Sequence, residues 1–506
     1  MSLMGVDIGT TGTKAVIFDE SGLQLSAAYE EYPLIIPFEG AGELDSERIV
    51  LAAYRVIKNA ASAVKNTDPV SAVGIASQGE AFTPVASDGS IIGNAMVSSD
   101  RRAEPFVKAW DEKFGTDRLY KITGHTAYPM FSLFKLLWIK ENQPKVWAEA
   151  WKFLFCQDLI AFKLTGETKT DYTMAARSML FDVTQKHWSV EILDFIGLDI
   201  KRLPEVVPSG GRAGTVSHRA AKELGLTNNI PVSMCGHDQP VGALGCGAAA
   251  PGFASYAVGT VECVTPAVDR LILSDVLMKN NLASYPHVMP GLYTTVAFNI
   301  TGGSVLRWVR DNLALEETSE ARRNGDDPYE RIIASASKKP SDLILLPHFG
   351  ATGTPHFDLQ GVGTLFGLTL STERSEILRA FLEGITYETK WNISILAEAG
   401  FALTELRTIG GGSKSSIWMQ IKADIFGLPL TIMKAPESTC AGAAILAGIE
   451  AGILEPEAVS SWAKPVRTFE PAQSNVSAYE DRFALYRGIY SSLGAARSML
   501  RKIKEN

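Results

Sequence analysis

Apolar residues near the start of the chain fall in short runs divided by turns. Met4 to Gly9 and Ala15 to Asp19 are apolar and partly β-branched, and Thr10-Thr11-Gly12-Thr13-Lys14 lies between them. The pattern predicts strand, tight polar turn, strand; Glu20-Ser21-Gly22 then turns the chain into a third strand from Leu23 to Tyr29. This is a meander. A dinucleotide fold or a Walker loop would need its glycines to open a helix after the first strand, so the opening argues against both. Apolar residues at helical spacing follow from Ile49 to Val64, behind the start signal Asp45-Ser46-Glu47. Val70 to Ala76 reads as a buried strand, and Phe131 to Glu141 and Ile377 to Ala399 as helices. Strand and helix segments alternate to the end, which indicates α/β layers.

An echo of the opening occurs near the middle. Ser255 to Val264 again reads strand, Gly-Thr turn, strand, around Gly259-Thr260. Two halves that begin alike suggest a duplicated domain. With 506 residues the chain is too long for one core. The junction is expected in the Gly- and Ala-rich stretch from Gly242 to Gly252, where two elements can pack closely or hinge. That divides the chain into 1–245 and 246–506.

Composition narrows the class. The chain is 46% hydrophobic and 21% charged, an ordinary globular balance, with a net charge of -8. That charge disfavours nucleic acid and anionic lipid as partners. Five widely spaced cysteines, none in a CxxC pair, fit neither a disulfide framework nor a zinc site, and suggest a reducing cytoplasm. No signal peptide and no membrane-spanning run is expected. His125, His348 and His356 lack the close spacing of a local metal motif and read as solvated or core-satisfied residues.

Four segments carry candidate chemistry. In Asp7-Ile8-Gly9-Thr10-Thr11-Gly12-Thr13-Lys14, glycines let backbone N–H groups approach an anion and hydroxyls add donors. Asp7, at a strand end, has the chemistry to hold hydrated magnesium. The segment also reads as a plain Thr-rich hairpin. In Cys235-Gly236-His237-Asp238-Gln239, Asp238 follows an apolar strand from Ile230 to Met234. It can face a cleft and accept a proton from a substrate hydroxyl, or cap the next helix. Gly410-Gly411-Gly412-Ser413, between the strand Leu406 to Ile409 and the helix Ile417 to Ile425, permits close ligand approach or a flexible turn, and Gly302-Gly303-Ser304 is equally ambiguous. Ser77-Gln78-Gly79-Glu80 and Ser99-Asp100-Arg101-Arg102 offer polar groups suited to sugar hydroxyls or to surface turns and ion pairs.

The order of these segments, more than any one of them, resembles the FGGY family of carbohydrate kinases over essentially the whole chain. Further landmarks fall in family order: Thr123-Gly124-His125 through Lys135-Leu136-Leu137-Trp138, Leu164-Thr165-Gly166-Glu167, Pro251-Gly252, Leu346-Pro347, Thr354-Pro355, Glu383-Gly384 and Gly442-Ala443-Ala444. The resemblance implies two actin-like (ribonuclease H-like) ATPase domains with an interdomain cleft. It implies ATP and Mg2+ as cofactors, a small sugar as partner, and phosphorylation of a sugar hydroxyl, with a ketopentose such as xylulose favoured. Another ketose or deoxyketose, ribulose, glycerol, gluconate, or a non-catalytic sugar sensor are the alternatives, and a homodimer is compatible with the sequence. By the same resemblance Asp238 is the base and Asp7 the metal residue. Thr10, Thr11, Thr13, Lys14, Gly259, Thr260, Gly303, Gly412 and Ser416 serve the nucleotide, and Gln78, Glu80, Asp100 and Gln239 the sugar. At Gly79 and Val261 the chain departs from common forms of the motifs, which leaves the sugar open.

Overall fold

The opening meander forms as its pattern predicts. In a computed structural model of the protein, which describes residues 1–358, 361–435 and 437–505, β1 (Ser2–Ile8), β2 (Gly12–Phe18) and β3 (Gln24–Glu31) run antiparallel in sequence. The chain then forms α1 (Ser46–Val64), with the Asp45 carboxylate accepting from the N–H groups of Glu47 and Arg48. The strand β4 (Val70–Ser77) returns parallel to β1. Much later β5 (Arg212–Thr215) and β6 (Pro231–His237) complete the sheet, and α2 (Asp238–Gly245) follows. The spatial order is β3-β2-β1-β4-β6-β5, with β4 and β6 parallel to β1 and β5 antiparallel at the edge.

The second half repeats this. β7 (Phe253–Val258), β8 (Glu262–Pro266) and β9 (Ala297–Asn299) form the antiparallel set. The helices α3 (Gly303–Asn312) and α4 (Arg374–Glu398) lead to β10 (Glu405–Ile409), α5 (Ser416–Phe426) and β11 (Leu430–Lys434). Then come α6 (Ser438–Glu450), β12 (Lys464–Phe469) and α7 (Gln473–Ser492). The order β9-β8-β7-β10-β11-β12 has the same sequence of antiparallel and parallel neighbours as the first sheet. The faint repeat in sequence is therefore a full repeat in topology.

The cores differ in one respect. The first sheet packs one face on α1 and the helix Cys156–Thr165. Its other face is covered by α6, which comes from the second half and buries Cys440, Ala443, Ala444 and Ala447 against Leu3, Val16 and Ala72. A further core around Trp110, Phe134 and Phe181 lies in the long insertion between β4 and β5. The second sheet packs on α4, α5 and α7.

The approach of α6 is close enough to dictate residue type. A Cβ on Gly74 would lie 2.1 Å from the Ala443 carbonyl oxygen, and one on Gly442 would lie 2.1 Å from that of Val241 in α2. Gly488 is also inside a helix, α7, but is exposed with open space around it. Gly442→Ala should therefore destabilise the protein by about 1–3 kcal/mol through overpacking, while Gly488→Ala should stabilise it by about 0.5–1 kcal/mol. Urea unfolding of both variants checks this, and equal effects would contradict it.

Candidate active site

Parallel strands bring their carboxyl ends to one edge of a sheet, where ligands of open α/β sheets gather. In the first half this edge carries Asp7 at the end of β1, Gln78 after β4 and Asp238 after β6. Register puts Asp7 beside Ala76 of β4, and Ala76 beside Gly236 of β6. In the second half the same edge carries Gly259-Thr260 after β7 and Gly410 to Gly412 after β10. The edges face each other: a cleft of about 310 Å³ is lined by Asp7, Gly259, Val261 and Gly410 together with Glu437 and Ser438.

Asp238 is held by its neighbours rather than by a loop. Gly236 has φ 111, and a Cβ there would lie 2.3 Å from Thr173 Oγ1. Its N–H donates to Gln157 Oε1 at 2.9 Å, and the His237 N–H donates to Thr173 Oγ1 at 2.8 Å. Gln157 and Thr173 in turn donate to the buried Asp171. Asp238 then begins α2 without capping it; the N-cap residue is His237, and no side chain caps the helix. His237 Nε2 lies 3.3 Å from Asp238 Oδ1 and Nδ1 lies 3.3 Å from the Tyr285 hydroxyl. Burial, and then Arg177, push the His237 pKa well down, so the ring is neutral and this contact is not an ion pair.

The two carboxylates are raised. Burial pushes Asp238 to about 8, Asp7 and Glu80 add to this, and hydrogen bonds from Gln239 oppose it. Burial pushes Asp7 to about 7, against the pull of Lys14, its cross-strand partner in the hairpin. Asp7 Oδ1 is buried with no hydrogen-bond partner among the described residues. An orphaned carboxylate oxygen in a cleft, on a strand end, fits a hydrated cation.

The remaining candidates divide. Gln78 accepts from Thr10 Oγ1 at 2.7 Å, so the first turn and the sugar candidate touch. Glu80 is buried with φ 63, a conformation costing about 1–3 kcal/mol that clusters at functional sites. It pairs with Arg177 and accepts from Ser98 at 2.5 Å, while Ser132 Oγ donates to its carbonyl. Thr11 is exposed on the first turn. The Thr13 hydroxyl is turned inward, 3.2 Å from the Tyr32 hydroxyl. Lys14 reaches across to Glu437 at 2.6 Å. Asp100 is saturated: its carboxylate binds the Arg102 guanidinium and accepts from the Gly42 N–H at 2.8 Å.

A second cavity, of about 320 Å³, opens beside the glycine turns. Gly259, Thr260, Gly303 and Gly412 line it with Leu306, Asp327, Tyr329, Ser415 and Trp418. Ser416 does not; its Oγ accepts from Arg467 at 3.0 Å. The Gly259-Thr260 turn is braced from below. Glu262, two residues on, meets Lys422 at 2.8 Å in a fully buried pair, and Tyr256 and Thr389 donate to the same carboxylate. Sequence reasoning missed His237 as a partner of Asp238, and missed Arg177, Tyr285, Glu437 and Trp418. Of these only His237 lies inside a segment singled out from the sequence for its chemistry; the others carry no local spacing signal.

Two repeated α/β lobes, one presenting carboxylates and the other glycine turns across a shared cleft, define an actin-like phosphotransferase. Residues 2–245 match the N-terminal domain, and residues 255–451 the C-terminal domain, of the FGGY family of carbohydrate kinases. The chain belongs to that family, whose members transfer phosphate from ATP to a sugar hydroxyl. It is 28% identical over 508 residues to a xylulose kinase of Bacillus subtilis, covering 100% of this chain and 99% of that protein. It is 30% identical to a glycerol kinase of Halorhodospira halophila, over 96% of this chain and 94% of that one. A crystal structure of a gluconate kinase from Lactobacillus acidophilus superposes with a TM-score of 0.91 at 25% identity, covering 99% of both chains.

The raised carboxylates have a measurable cost. A folded-state pKa above the unfolded one means that folding holds the proton. Asp238 thus favours the folded state below the usual carboxylate range, and this contribution is lost as pH rises toward about 8. Asp238→Asn should gain stability over the wild type between pH 5 and pH 8, by up to about 4 kcal/mol. Urea unfolding at the two pH values is the measurement, and parallel profiles would count against the burial of this charge.

Proposed function

We propose that this protein transfers the γ-phosphoryl group of ATP to a hydroxyl of a ketopentose, xylulose being the first choice, in the cytoplasm. The observation that carries the reading is Asp7 facing the glycine turns of the opposite lobe across one cleft, with Asp238 near enough that the Asp7 charge helps to raise its pKa. The choice of xylulose rests on the relatives that carry that name over the full chain length. Five free cysteines suit a reducing compartment, and no described helix is long and apolar enough to cross a membrane. The working domain boundary is Gly245/Cys246, with α6 crossing back to cover the first sheet.

Asp238 is the general base. Its raised pKa makes the ionised carboxylate a stronger acceptor for the proton of the attacking hydroxyl, with Gln239 donating to it and His237 beside it. The first positions of α2 add the positive end of a helix dipole beneath the developing charge. Gln78, Glu80 and Gln239 are the sugar-binding candidates, with Glu80 fixed by Arg177 and Ser98. Asp7 is the residue to hold Mg2+ through water; when bound, the ion would neutralise charge on the phosphates. Thr10, Thr11 and Lys14 line the path between the lobes. Gly259, Thr260, Gly303 and Gly412 take the nucleotide where no side chain obstructs it.

ADP release with ATP and magnesium, measured across ketoses, polyols and sugar acids, tests the reading. One strongly preferred ketopentose is expected. Preference for glycerol or gluconate would move the assignment within the family, and no response to any sugar would favour a sensor. In the Asp238→Asn variant turnover should fall by about 10²–10⁴-fold or more while sugar binding persists. Full activity in that variant would overturn the base assignment.

A further inference from the structure

Three side chains that the sequence scatters meet away from the cleft. His348 follows the strand Ile344–Leu346, His356 lies in the next turn, and Glu388 sits midway along α4. One ligand-capable atom of each lies within 4.8 Å of the other two. His348 Nε2 is 3.1 Å from Glu388 Oε2, and His356 Nε2 is 3.6 Å from Glu388 Oε1. The side chains are 1%, 10% and 1% exposed for His348, His356 and Glu388. Read singly, the histidines were expected to be solvated or satisfied in the core. Tertiary folding instead lays the loop from His348 to Phe357 across α4 and points two imidazoles at one carboxylate.

A self-contained hydrogen-bond network would leave nothing over. Glu388 Oε2 is satisfied, by Tyr486 as well as His348. Glu388 Oε1 and His356 Nε2 are buried without a hydrogen-bond partner among the described residues. Unmet polar groups of this kind cost about 1–3 kcal/mol each. A cation between them would satisfy both. The ring of His356 is already oriented, stacked on Tyr490 at 3.9 Å and against Trp391 at 4.6 Å. Tyr486 fixes the carboxylate from behind, as outer partners do around metal ligands.

We propose that His348, His356 and Glu388 form a binding site for one divalent cation of the zinc class, separate from the Asp7 site. Two imidazoles and one carboxylate suit such an ion, whereas magnesium and calcium prefer oxygen alone. Binding contracts the three ligands onto the ion, replaces the His348–Glu388 hydrogen bond, and leaves a fourth position for water. Its effect is on architecture. The ion ties the His348–Phe357 loop to α4 and, through Tyr486, to α7. The same loop ends on Phe357, which packs at 4.2 Å on Tyr128 of the first half, so the site fastens a contact between the lobes.

The test uses the full-length protein, stripped with a chelator and titrated calorimetrically with Zn2+ in the absence of nucleotide. One Zn2+ per chain is expected for the wild type and for Asp7→Asn, with a rise in thermal midpoint. His356→Ala and the isosteric Glu388→Gln should weaken binding by at least about tenfold and lose the thermal shift. Should His356→Ala not fold, His356→Phe keeps the ring stack and removes the ligand. X-ray absorption of the zinc-loaded wild type should report imidazole nitrogen and oxygen neighbours. Absence of stoichiometric binding overturns the proposal, as does binding that survives Glu388→Gln but disappears in Asp7→Asn.

Discussion

The contact on which the molecule depends is backbone against backbone. Helix α6 belongs by sequence to the second half, yet it covers a face of the first sheet and crosses α2 with almost no side chain between. A Cβ on Gly5 would lie 1.8 Å from the Cys440 carbonyl, and one on Gly245 would lie 1.9 Å from that of Ser438. Close packing leaves no slack for a methyl group in such places. The result is that Asp7, at the end of the strand under α6, and Glu437, just before α6 begins, line the same cleft. The halves are two lobes joined through a shared layer rather than two beads on a linker.

That geometry also sets the electrostatics. Asp7 and Asp238 stand at the ends of the strands that flank β4 on either side, so their charges are brought near each other in a place where water is scarce. Strongly raised carboxyl groups in a cleft cluster at functional sites. Stability is given up here, as is usual where function needs unpaired charge. The opposite lobe is arranged differently. Its fully buried charge pair, Glu262 with Lys422, has hydrogen-bond partners in Tyr256 and Thr389 and braces the glycine turn.

Much of this was legible in the residues. The meander, the α/β alternation, the helix behind Asp45 and the repeat around Gly259-Thr260 all rest on local periodicity and turn chemistry, and each formed within a few residues of its expected span. The strand-end placement of Asp7, Asp238 and the glycine turns was legible because apolar runs that stop at a glycine or a carboxylate mark where a strand ends. Ser416 and Asp100 show the limit. Both sit in the right segments, but Ser416 faces Arg467 and Asp100 is consumed by Arg102. Which way a side chain points at the start of a helix or in a loop is decided by its neighbours in space.

By itself the sequence determined the layer type, the strand-end positions of Asp7 and Asp238, and the glycine turns that approach an anion, because these follow from interactions over a few residues. Only the tertiary structure decided that α6 would seal the first sheet, that His237 and Arg177 would stand behind the site, and that His348, His356 and Glu388 would converge. The contacts of Gly5 with Cys440 and of His356 with Glu388 join positions 435 and 32 residues apart, and no periodicity carries such information. They exist because burying an apolar face or a charge requires a partner, and the partner is whatever the packed chain brings there.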